Sequence, residues 1–170
     1  MHPKPLRISL IAALGERTRA IGKNNDLIWK DLKPDMRRFK EKTSGHPVIM
    51  GRHTWLSIPE RYRPLPDRTN IVITSAERFE PAGAHRASSL EEAIEMARTF
   101  PGSDEIFIIG GGRVYADALP LADRLYLTLV ESSEEGDTFF PEYAAAFTKA
   151  VEEETHAEHV PPFTFLTLER

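Results

Sequence analysis

Short apolar runs of strand length, each bounded by turn residues, recur along this chain and mostly alternate with helical patterns. The runs are Ile8 to Leu14, Pro47 to Met50, Asn70 to Thr74, Glu105 to Ile109 and Arg124 to Val130, each rich in Ile, Val or Leu. Between them, the spacing predicts helices over Pro34 to Thr43, His53 to Ser57, Leu90 to Arg98 and Arg113 to Ala118. Such alternation implies a largely parallel sheet with helices on both faces. The C-terminal third breaks the rhythm: Arg124 to Val130, Thr148 to Glu153 and Pro162 to Leu168 have no helical pattern between them, which predicts antiparallel strands closing one edge. The expected class is α/β, with a mixed, mostly parallel central sheet of about eight strands, an antiparallel C-terminal edge and four flanking helices. Gly15 to Asp26, Pro59 to Arg68 and Glu131 to Asp137 hold no periodic pattern and read as loops.

With 170 residues, one hydrophobic core is expected, so residues 1–170 read as a single domain. A net charge of -4 argues against a duplex-binding surface, and no nucleic-acid partner is expected. The absence of cysteine excludes disulfides, thiolate catalysis and cysteine-ligated zinc and suits a reducing compartment, so the cytoplasm is expected. Lys4 and Arg7 ahead of Ile8 to Leu14 look like the start of a secretory signal. The apolar run is far too short to cross a bilayer and reads as a buried strand, so no membrane association is expected. His156 and His159, spaced H-x-x-H among glutamates, lack a third partner; they read as solvated loop residues, and no metal is expected.

The strand at Glu105 to Ile109 runs into Gly110-Gly111-Gly112-Arg113 and then a helical pattern. In such a turn the missing side chains let a pyrophosphate approach the backbone, and the helix start favours its charge. A tight structural turn also fits, although three glycines exceed what one requires. The dinucleotide fingerprint would need glycine where Tyr115 stands, and no G-K-[ST] follows, so neither a Rossmann first turn nor a P-loop fits. A second turn, Gly51-Arg52-His53-Thr54, repeats the logic after Pro47 to Met50; alone, it reads equally as a helix cap with a solvated arginine. Together the two turns suit the two ends of a dinucleotide. Thr74 and Ser75 end a third strand with hydroxyls, and Arg52 and Arg113 near them would favour a 2′-phosphate, hence NADP over NAD.

Leu32, Met36 and Phe39 form an apolar stripe on the first helix, with Lys33, Arg37, Arg38 and Glu41 expected to face water. Asp35 lies on the stripe. A carboxylate among apolar groups is a site candidate, while its place just after Pro34 also suits a helix N-terminus. The stiff stretch Arg63-Pro64-Leu65-Pro66-Asp67-Arg68 would present Arg68 to a carboxylate, or is a surface proline loop.

Over nearly its whole length the sequence resembles dihydrofolate reductase, in particular the small monomeric bacterial kind. The resemblance rests on Ile8-Ser9-Leu10-Ile11-Ala12-Ala13-Leu14, Ile21-Gly22, Val48-Ile49-Met50-Gly51-Arg52-His53-Thr54-Trp55, Arg63-Pro64-Leu65-Pro66, Ile109-Gly110-Gly111-Gly112-Arg113-Val114-Tyr115, Leu125-Tyr126-Leu127-Thr128 and Glu135-Gly136-Asp137-Thr138. It implies a monomer that transfers hydride from NADPH to C6 of 7,8-dihydrofolate, with a proton delivered to N5. Asp35 would bind the pterin, supported by Thr128, with Trp29 holding an ordered water; Tyr115 joins these as a catalytic candidate. The resemblance also implies a folate site of Ile11, Ala13, Met36, Phe39, Ile58 and Leu65, with Arg68 on the α-carboxylate and Arg63 looser on the glutamate tail. For the cofactor it implies Ala12, Ala13, Ile21, Gly22, Leu27, Gly51, Arg52, His53, Thr54, Thr74, Ser75, Ile109, Gly111, Gly112, Arg113, Val114 and Tyr115. It further implies a cis Gly110-Gly111 peptide, a lid over Asn24 to Ile28, and Gly136-Asp137 steadying its closed form.

The sequence departs from the family pattern where Trp29-Lys30-Asp31-Leu32-Lys33-Pro34-Asp35 is one residue longer than usual, leaving Asp31 as a rival to Asp35. Asp35 is preferred because Met36 and Phe39 follow it in register. Ile28 stands where many members carry proline, which bears on lid mobility. Two rival functions are the pyrimidine reductase of riboflavin synthesis, which lacks a use for Asp35 and Arg68, and a non-catalytic NADP-binding module.

Overall fold

The computed structural model describes residues 6–170, so Lys4 lies outside the described residues. In chain order the elements are β1 (Arg7–Gly15), β2 (Ala20–Lys23), β3 (Asp26–Leu27), α1 (Lys33–Thr43), β4 (Val48–Gly51), α2 (Arg52–Ser57), β5 (Asn70–Ile73), β6 (His85–Ala87), α3 (Leu90–Ala97), β7 (Glu105–Ile108), α4 (Gly112–Ala118), β8 (Arg124–Val130), β9 (Thr138–Phe139), β10 (Lys149–His156) and β11 (Phe163–Glu169). Eight strands form one sheet in the order β10-β11-β8-β1-β7-β4-β5-β6. β8 pairs parallel with β1, and β11 pairs antiparallel with both β8 and β10. β8, β11 and β10 thus form the antiparallel C-terminal edge that the sequence implied, with β11 the one strand reversed in the eight-stranded sheet.

Side chains alternate across a strand, and the core divides accordingly. Leu10, Ile49, Ile71, Ile106, Ile108, Leu125 and Leu127 pack on one face with Leu90, Ala93, Ile94 and Ala97 of α3. Ile11, Val48, Met50, Val72, Phe107 and Tyr126 pack on the other with Trp55 of α2 and Phe39 of α1. Strands covered on both faces read as unbroken apolar runs, which is why the sequence announces them. α3 starts cleanly because the Ser89 hydroxyl accepts the Glu92 N–H at 3.1 Å. β10 is exposed along nearly its whole length, and its glutamates protect the sheet edge.

Three readings are corrected. The loops expected at Gly15 to Asp26 and Glu131 to Asp137 flank or contain a second, three-stranded sheet, β3-β2-β9, whose strands are too short to show a period. On α1, Met36 is 57% exposed while Arg38 is 7% exposed, the reverse of the expected stripe. Acceptors on the neighbouring strands take up the guanidinium, so the buried face includes a charge. His156 ends β10 and stacks on Phe163 at 4.6 Å, and His159 meets the same ring at 5.0 Å, so neither is simply solvated.

At the amino end of β7, Gly102 holds φ +78°, and a Cβ there would stand 1.8 Å from the Gly45 carbonyl oxygen. Its carbonyl also bonds His46 Nδ1 at 2.8 Å, tying the turn before β7 to the turn before β4. Gly102→Ala is expected to lower folding stability by about 2 kcal/mol, read as a fall in the urea midpoint.

Candidate active site

The site opens where β1 leaves β7. Their pairing ends at Leu10↔Ile108, while β1 stays paired with β8 as far as Gly15↔Val130. Such a parting at the carboxyl ends of parallel strands makes a crevice. Just past it, the Tyr115 hydroxyl donates to the Ile11 carbonyl at 2.7 Å. Tyr115 is buried, its ring 5.0 Å from that of Phe140, and burial together with the charge of Asp35 pushes its phenol far above the usual range. It therefore stays a neutral donor.

Ala13 is registered with Thr128 on β8, and the Thr128 hydroxyl donates to Asp35 Oδ1 at 2.5 Å. Burial raises the Asp35 carboxyl above its ordinary value, although the Thr128 bond and the charge of Arg38 pull it down. Asp31 is exposed. Asp31 precedes α1, which begins at Lys33, and the geometry selects Asp35 as the carboxyl facing β8.

The two glycine turns lie side by side at the ends of β4 and β7. Gly51 N–H donates to the Gly110 carbonyl at 2.8 Å, and Ile109 N–H to Ile49 at 2.9 Å. The Gly110-Gly111 peptide is cis, as the resemblance implied. A Cβ on Gly51 would stand 3.2 Å from Val114 Cγ2, and one on Gly112 2.8 Å from Thr138 Cγ2, so helix, strand and small sheet converge there. At Gly111 only Thr54 Oγ1, at 3.3 Å, would lie within 4 Å of an added Cβ. That backbone is open to a ligand, with the starts of α2 and α4 beside it. Arg52 lies 5.9 Å from the Phe79 ring; His53 is exposed, and the Arg113 side chain is 93% exposed near Asp117. Thr74 is buried with its hydroxyl accepting from Ala76 N–H at 3.1 Å, while Ser75 is exposed at the end of β5.

Phe39, Ile58 and Leu65 pack against the cluster around Trp55. Arg68 donates to Thr43 Oγ1 at 3.0 Å and to the Pro66 carbonyl at 2.8 Å, over the Phe39 ring, while Arg63 donates to the Trp55 carbonyl at 3.2 Å. Ile21 and Gly22 lie in β2, and Leu27, in β3, is 54% exposed. Asp137 N–H donates to Gly22, and Asn24 N–H to Asp137 Oδ2, each at 2.9 Å.

Comparison with known proteins decides the family. A dihydrofolate reductase family model matches residues 7–170. The dihydrofolate reductase of Bacillus subtilis (strain 168) is 46% identical over 147 residues, 86% of this chain and 83% of its own. Dihydrofolate reductase type 3 of Salmonella typhimurium is 44% identical over 149 residues, 88% of this chain and 87% of its own. The structure of the Enterococcus faecalis dihydrofolate reductase complexed with NADP(H) and RAB-propyl superimposes with a TM-score of 0.84 at 32% identity, covering 96% of each chain. This chain belongs to the dihydrofolate reductase family.

Against the family expectation, the Trp29 indole N–H donates to the Ala20 carbonyl at 3.0 Å. An indole has a single donor, so Trp29 ties the turn before α1 to β2 where it was expected to hold a water. Arg38, three residues after Asp35 on α1, is buried beside the site although its sequence pattern places it toward water. Among the described residues, no group of three or more His, Asp or Glu is placed to hold a metal, and no helix is long and apolar enough to cross a membrane.

Thr128→Val removes the donor that lowers the Asp35 carboxyl while keeping its shape. The alkaline fall in the pH profile of dihydrofolate reduction is expected to move to higher pH; an unmoved profile would separate Asp35 from that limb.

Proposed function

We infer that this chain reduces 7,8-dihydrofolate to 5,6,7,8-tetrahydrofolate with NADPH, as one domain over residues 1–170, acting as a monomer in the cytoplasm. The single observation that carries the reading is a half-buried carboxyl, Asp35, held by Thr128 in the same crevice as the two glycine turns. The absence of cysteine supports the compartment, and an eight-stranded sheet that takes in both β1 and β11 supports the single domain.

Bound NADPH supplies the hydride that goes to C6. The open Gly111 backbone and the starts of α2 and α4 would take the pyrophosphate, with Gly51, His53, Thr54, Gly112, Val114 and Ile109 around it. Arg52, Arg113, Thr74 and Ser75 would meet the phosphate-bearing ribose. Ala12, Ala13, Ile21, Gly22, Leu27 and Tyr115 would enclose the nicotinamide end. Asp35 would hydrogen-bond the pterin, and its raised proton affinity favours protonation at N5, with water as the immediate donor. Ile11, Ala13, Met36, Phe39, Ile58 and Leu65 would flank the folate, with Arg68 on its α-carboxylate and Arg63 on its tail.

The test is loss of NADPH absorbance on adding dihydrofolate to the purified chain. Asp35→Asn is expected to lower kcat/KM at neutral pH by roughly 100-fold while still binding NADPH, and Asp31→Asn to leave it unchanged. Full activity in Asp35→Asn with loss in Asp31→Asn overturns the assignment; NADPH bound but never oxidised favours a non-catalytic module.

Stability moves the other way. The folded carboxyl binds its proton more tightly than the ordinary value of 3.8, so its stabilising contribution is fully present below that pH and is lost as pH rises through the folded value. Asp35→Asn is therefore expected to melt above the parent at neutral pH, with the gap closing on acidification in a thermal-melt series.

A further inference from the structure

Arg38 follows Asp35 by three residues on α1, a spacing that puts both side chains on one face of the helix. Burying a guanidinium is costly unless it is paired throughout. Arg38 donates through Nη1 to the Leu127 carbonyl at 3.3 Å, and through Nη2 to Glu152 Oε1 at 3.0 Å and Thr167 Oγ1 at 3.1 Å. Its guanidinium lies 4.6 Å from the centre of the Phe165 ring. These partners sit on β8, β10 and β11, and Leu127 immediately precedes Thr128, which holds Asp35.

An apolar side chain would pack α1 onto the sheet without that desolvation, so what arginine adds is a permanent charge. The charged and titratable groups around it come from several elements. α1 supplies Asp35 and Lys42, the latter 5.5 Å from the Tyr126 ring. β8 supplies Tyr126, whose hydroxyl donates to Glu105 on β7, and β10 supplies Glu152. β11 meets Arg38 with the uncharged Thr167 and Phe165, while Glu169 at the end of the same strand pairs with Arg124. The Glu152 side chain is 43% exposed, so water screens it more than it screens Arg38.

We propose that Arg38 is a positioning residue for the reaction: anchored on three strands, it holds α1 against β8 and sets the electrostatic field at Asp35, with Glu152 as its counterweight. The sign of its effect agrees, since its charge draws the Asp35 carboxyl down against burial. The proposal rests on the reading of Asp35 as the acid of dihydrofolate reduction.

Two measurements separate the two claims: titration of the Asp35 carboxyl carbon by NMR, assigned with Asp35→Asn, and the pH profile of kcat/KM for dihydrofolate. Arg38→Met is expected to move the titration midpoint and the alkaline limb to higher pH, and Arg38→Lys to bring both back toward the parent. Glu152→Gln, on the exposed edge strand, is expected to move both to lower pH and carries the test if Arg38→Met does not fold. Midpoints unmoved in Arg38→Met and Glu152→Gln, beside a loss of thermal stability, overturn the proposal and leave Arg38 a strut. Midpoints that move while the activity limb stays fixed support the field effect and overturn Asp35 as the acid.

Discussion

The whole site depends on β1 parting from β7 after Leu10 while remaining paired with β8. A parallel ladder that opens in mid-sheet leaves backbone groups without ladder partners in a buried place, and such groups are expensive. The Tyr115 hydroxyl meets that need at the Ile11 carbonyl. Because Tyr115 lies on α4, the helix that begins at the glycine turn, the bond that keeps the crevice open also fixes the turn beside it. Gly51 N–H to Gly110 then locks the second turn to the first. One opened ladder thus sets the crevice and both phosphate-suited turns in a single rigid frame.

On the other side of β1, the same frame places Thr128 opposite Ala13 and brings α1 down over β8. Asp35 is caught there between opposing effects. Burial favours the neutral acid, whereas the threonine hydroxyl and the arginine charge favour the carboxylate. Burial outweighs both contacts, so the carboxyl holds its proton more tightly than an exposed aspartate would.

The sequence made much of this legible because the parallel strands are buried on both faces and announce themselves as apolar runs, with Arg124 to Val130 matching β8 residue for residue. Asp35 stands apart from Asp31 in the sequence because Met36 and Phe39 follow it in the family's register. Other features depend on partners far away in sequence. β2 is paired with β9 across more than a hundred residues, and each strand is too short to carry a period. A polar side chain on a helix ordinarily faces water, so Arg38 gives no sign of burial; the acceptors that bury it come from Leu127, Glu152 and Thr167. The Trp29 latch onto Ala20 is likewise invisible without the fold.

The small sheet differs in kind from the large one, and that difference bears on turnover. β3 is exposed at both residues, and Asp26 and Lys30 form an exposed pair. The docking of this segment rests on the Asp137 N–H to Gly22 and on the Asn24 N–H, which holds the exposed Asp137 carboxylate below its usual range. Hydrogen bonds and ion pairs in contact with water contribute little net stability, because water replaces them on opening. Trp29, buried among Leu32, Val130, Phe163 and Phe165, is the firm end of the same segment. A strip anchored by a buried aromatic at one end, and at the other by the Gly22 bond and the exposed Asn24–Asp137 contact, is expected to open locally before the core does. On the function proposed above, this is the segment expected to open and close over the bound ligand while the frame around Tyr115 stays fixed.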